Sequence, residues 1–77
     1  MMAGWTNRHR DIMGDVYRLL QHNFTPSRDE TYWDKLIAEG NEICVKYGYD
    51  ELAIDMVAAV NLHLENKLKR IEQGIEQ

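Results

Sequence analysis

The chain has 77 residues, 44% of them hydrophobic and 29% charged, with a formal charge of −4, which allows one domain at most and a core too small to be strongly stable unaided. That charge runs from +1 over residues 1–25 to −2 over 26–48 and −3 over 49–77, so no concentrated basic face argues for nucleic acid or an anionic membrane. Cys44 is the single cysteine, which excludes an intramolecular disulfide and suits a reduced cytosolic thiol.

No apolar run approaches the ~20 residues that span a bilayer, and no basic start leads into the apolar stretch of a signal peptide. The expectation is a cytoplasmic protein for which, among the usual supports of small domains, oligomerisation remains.

In residues 1–5, Trp5 is the group able to tie the segment down by packing. A first helix is expected over about 7–22, opening at Thr6 or Asn7, either of which can accept free amide hydrogens of a first turn. Ile12, Met13, Val16, Tyr17, Leu19, Leu20 and Phe24 fall on one arc of its wheel, and Arg10, Asp11, Gly14, Asp15, Arg18 and Gln21 on the other. Asn23 can take the left-handed end conformation and Pro26 cannot continue the ladder, so a turn follows.

Ser27 to Glu30 fits the S-x-x-E capping box, and a second helix is expected over about 28–47, ending at Gly48. Its apolar residues make two adjacent ridges, Tyr32, Leu36, Ile43 and Tyr47 beside Trp33, Ile37, Gly40 and Cys44. That width touches two helices at once, and Gly40 within it lets another helix come close.

Asp50 is the expected cap of a third helix over about 51–73, with Tyr49 and Ile54 placed as a hydrophobic staple across it. The run Leu52 to Leu64, LAIDMVAAVNLHL, is apolar on more of its circumference than one buried face requires. Ala53, Val57, Val60 and Leu64 form one ridge, extended by Leu68 and Ile71. Ile54, Ala58 and Leu62 form another, roughly opposite. About 23 residues span roughly 34 Å, against roughly 30 Å for the second helix, so the last turn overhangs and Ile71 and Ile75 lack cover unless the loop around Phe24 folds over them.

The short connections favour antiparallel neighbours. The expected fold is an all-α three-helix bundle with an antiparallel hairpin of helices two and three at its centre, monomeric or dimeric. In one reading Ile54, Ala58, Leu62, Ile71 and Ile75 are the interface of a homo-oligomer, a dimer, or of a helical protein partner. In the other, helix one covers the Ile54 ridge.

The residues for catalysis are sparse. Ser27 is explained as a helix cap and Cys44 as an apolar packing group. His9, His22 and His63 have no histidine or carboxylate three or four positions away, the spacing that would put two metal ligands on one helix face. His22 reads as a surface group, and His63 as a partly buried imidazole hydrogen-bonded to a neighbour. Asp29, Glu30 and Asp34 favour a helix N-terminus, and the scattered glycines make no phosphate loop. No catalytic residue, cofactor or metal is therefore expected. The alternative is a small nucleic-acid-binding or transcription-regulatory protein with Arg8, Arg10, Lys67 and Arg70 on phosphates, binding in a salt-dependent way. A third helix apolar on two sides speaks against it.

The stretch from Tyr32 to Leu68 contains Tyr32-Trp33-Asp34-Lys35-Leu36-Ile37, then Lys46-Tyr47-Gly48, then LAIDMVAAVNLHLE. It resembles small uncharacterised helical proteins encoded in bacterial phages and prophages. The resemblance implies a bacterial or phage cytosolic setting, and it assigns no activity and no functional residue.

Overall fold

Backbone donors at the helix starts find side-chain acceptors in both connections. Asp29 precedes the second helix and accepts from the Thr31 amide at 3.0 Å, while Asp50 precedes the third and accepts from the Leu52 amide at 2.9 Å. At the first helix the Thr6 amide donates to His9 Nδ1 at 3.1 Å, with the imidazole standing where a capping box usually has a glutamate. In the computed structural model, which describes residues 4–74, the helices so opened are α1 (Asn7–His22), α2 (Glu30–Lys46) and α3 (Glu51–Glu72).

The second start differs from the one expected. Ser27 does not cap α2; its Oγ accepts from the Asp29 amide at 3.1 Å and so shapes the turn that delivers Asp29 to the cap. Asn23 is not left-handed either, with φ −121°. It is buried, donating from Nδ2 to the Leu19 carbonyl at 2.8 Å and to Glu39 Oε1 at 3.2 Å, and its own carbonyl accepts the Tyr32 hydroxyl. Those bonds tie the end of α1 to α2, and they require a backbone conformation that the αL cap would not supply.

At the other end of α2, Gly48 and Tyr49 both have positive φ, 63° and 60°, and the Tyr49 amide closes on the Cys44 carbonyl at 2.8 Å. Glycine takes this conformation freely and tyrosine does not. The turned backbone leaves the Tyr49 ring exposed, as it leaves Ile54, so the expected staple does not bury either side chain.

All three helices pack on one another. The core is Ile12, Val16 and Leu19 from α1, Leu36, Ile43 and Cys44 from α2, and Ala53, Val57, Val60 and Leu64 from α3. The expected third-helix ridge is thus the one buried. A Cβ on Gly40 would lie 2.7 Å from Val57 Cγ1, so the glycine is where α2 and α3 touch. Tyr32, Glu39 and Lys46, seven residues apart, reach Asn23, His22 and Asp15 respectively. That row turns one side of α2 toward α1, which runs antiparallel to it. Arg8 meets Asp50 and the Tyr47 carbonyl at one end of the bundle, and Arg28 meets Glu72 at the other. Helix one therefore docks within its own chain.

Candidate interaction surface

Once α1 has taken its place, the side of the α2–α3 hairpin away from it remains uncovered. On α3, Ile54, Ala58 and Leu62 are exposed, Leu62 to 57%. On α2, Ile37 and Val45 stand 52% and 60% exposed. Ile37, Asn41 and Val45 recur every four residues, nearly opposite the row that faces α1, so they flank α3 from outside. Contact between Gly40 and Val57 sets the antiparallel register, which brings Ile37 abreast of Leu62 and Val45 toward Ile54. Four branched side chains thus mark the corners of one apolar seam, with Asn41 and Ala58 between them. Beside it lies Asn61, whose Oδ1 is buried without a hydrogen-bond partner among the described residues.

Of the residues expected at an interface, Ile54, Ala58 and Leu62 share this seam. Helix one does not cover them. Ile71 is half-buried near the end of α3, and Ile75 lies outside the described residues. Ile37 and Val45 belong to the same surface but escaped sequence reasoning. Ile37 fell in a ridge assigned to contacts within the chain, and Val45 in none; the signal was their spacing of eight, two turns along one face.

On the other flank, a polar cluster joins α1 to α2. Asp15, placed by periodicity on the polar arc, is 9% exposed. It accepts from Lys46 Nζ at 2.9 Å and from the Tyr47 hydroxyl at 2.6 Å, and it pairs with Arg18. Burial alone would raise its carboxyl, but the bonds from Tyr47, Lys46 and Arg18 outweigh that and hold it at about 2. The same bonds push Lys46 and Tyr47 upward. Next to this cluster His22 Nδ1 meets Glu39 Oε2 at 2.9 Å, and Glu42 and Lys46 help enclose a hollow of about 210 Å³. With Asp15 ionised and its oxygens engaged at neutral pH, its cluster acts as a strut between α1 and α2.

The four cations considered as phosphate contacts are not brought together. Arg8 and Arg10 stand at the start of α1, with Arg8 held by Asp50. Lys67 and Arg70 are on the last turns of α3, about 24 Å further along the bundle at about 1.5 Å per residue. Lys67 is moreover buried, 4% exposed, donating to the Phe24 carbonyl at 2.9 Å with Nζ 3.1 Å from the centre of the Phe24 ring. His63, expected to be partly buried, is exposed, because the margin of α3 it occupies lies outside the α1 contact.

Among the described residues no three of His, Cys, Asp and Glu are grouped to hold a metal ion, and no helix is long and apolar enough to cross a membrane. Compared with family models, curated proteins and solved structures, the chain matches none.

Proposed function

We propose that the protein is a non-enzymatic helical interaction module that forms a homo-oligomer, at least a dimer, through the α2–α3 seam. The observation that carries this reading is the pair of apolar rows, Ile37 with Val45 and Ile54 with Leu62, left exposed on adjacent helices after α1 has docked elsewhere. A single exposed leucine is ordinary; aligned rows on two neighbouring helices are the mark of a protein contact. Ala58 between them permits close helix approach. The resemblance of residues 32–68 to phage and prophage proteins is the ground for placing the module in a bacterial cytoplasm, and the reduced, buried Cys44 agrees with that setting.

Molar mass by light scattering across a concentration series tests the proposal. The double variant Ile54→Glu, Leu62→Glu is expected to keep its helicity as a monomer at concentrations where the wild type associates. A variant with the wild-type mass would remove the seam from the interface. A wild type that stays monomeric to high micromolar concentration would remove self-association altogether.

A further inference from the structure

Resting on that self-association, we infer that the contact joins unlike surfaces: the α2–α3 seam of one copy receives the outer strip of α1 from a second copy. The strip consists of Met13, Tyr17, Leu20 and Phe24, which recur at the spacing of one helix face. Tyr17 and Phe24 are each more than half exposed. With Leu20 and Gln21 they frame a hollow of about 350 Å³, room for branched aliphatic side chains such as those of Ile54 and Leu62.

Charge decides between this partner and a second seam. Asp34, Glu51 and Glu65 rim the seam, exposed and without ion pairs among the described residues, and Lys69 is the base at its far end. If two seams met about a two-fold axis at Ala58, Ile54 would face Leu62, but Glu51 would face Glu65 twice, a like-charge pairing that disfavours the contact. The α1 strip brings the opposite sign. Arg10, exposed and without an ion pair among the described residues, continues it by one turn. No carboxylate belongs to the strip.

The dimensions also agree. The sixteen residues of α1 and seventeen of α2 are each about 25 Å long at about 1.5 Å per residue. A helix of that length, about 10 Å across with its side chains, lies along the full length of the hairpin face. Because the two surfaces differ, each added copy leaves one of each open, and growth continues past two unless a ring closes.

Two single variants of the full chain and their mixture test this. Tyr17→Glu blocks the strip and Leu62→Glu the seam; each is expected to be monomeric with unchanged helicity, while an equimolar mixture pairs through the two intact surfaces and gives the mass of a 1:1 dimer. If Tyr17→Glu assembles like the wild type while Leu62→Glu is monomeric, the inference falls and self-association through the seam stands. A wild type that never associates overturns both. Two monomeric variants whose mixture stays monomeric also overturn the pairing. Arg10→Glu, outside the core, is the second strip variant: association should weaken on the order of tenfold at low salt and less at high salt, and unchanged association at low salt would count against the strip.

Discussion

Asp15 is a charged side chain whose surroundings make it structural. Its carboxyl, held at about 2 against an ordinary 3.8, makes stability depend on acid in one direction. Above about pH 5 the folded and unfolded states are both ionised and the full contribution is present. As pH falls toward 2 the unfolded carboxyl binds its proton first, and roughly 2 kcal/mol of stability is lost. Urea midpoints at pH 7, 4 and 2.5 should show that decline, and Asp15→Asn should flatten it while lowering stability at pH 7 by about 1–3 kcal/mol. Gly40 makes a second test at this scale. Gly40→Ala must displace Val57, with an expected loss of about 1–3 kcal/mol despite the better helix propensity of alanine. Gly40 was legible in the sequence because a glycine amid a ridge has few other uses. Asp15 was not, since its partners Lys46 and Tyr47 are 31 and 32 residues away and hydropathy along one helix does not register them. Lys67 was misread for the same reason: the loop carbonyl that takes its ammonium lies 43 residues earlier.

Among the elements, the α2–α3 hairpin was the most readable. Gly48, Asp50 and the Ala53–Leu64 ridge state their roles in local chemistry, and the structure uses each as expected. The start of α2 was read two residues early because Ser27 and Asp29 can both cap, and only the geometry of the preceding turn selects between them. Asp29→Ala should therefore cost about 1 kcal/mol and Ser27→Ala clearly less, a difference that thermal unfolding of the two variants would resolve. Helix α1 was legible as an amphipathic helix, but its outer limits were not. Tyr17 and Phe24 fall within its apolar arc, and yet the two facing helices cover a narrower stripe, leaving both at the surface.

For the molecule as a whole, thinness governs what remains exposed. The Cα envelope is 42 × 26 × 16 Å, and in so shallow a bundle every helix has a side that meets solvent. An apolar ridge on the third helix was readable as needing a second neighbour. Which helix would supply it depended on the side α1 takes, and that choice is fixed by Asp15, His22 and Asn23 meeting α2. If the seam is a self-association surface, the native state gains stability by mass action. The unfolding temperature of the wild type should rise with protein concentration, and that of the Ile54→Glu, Leu62→Glu variant should not; equal slopes in a calorimetric dilution series would contradict the proposed assembly.

The turn at Gly48 and Tyr49 also limits how copies can exchange parts. Straightening it would fuse α2 and α3 into one rod about 64 Å long at about 1.5 Å per residue, the form through which hairpins trade halves between chains. Both residues would have to leave left-handed backbone for right-handed helix. Glycine is indifferent to that change, whereas Tyr49 would be relieved by it, by about 1 kcal/mol. The bundle thus keeps its hairpin shut against the preference of one of its own residues, and Tyr49→Gly, by removing that preference, would make a chain less prone to swap.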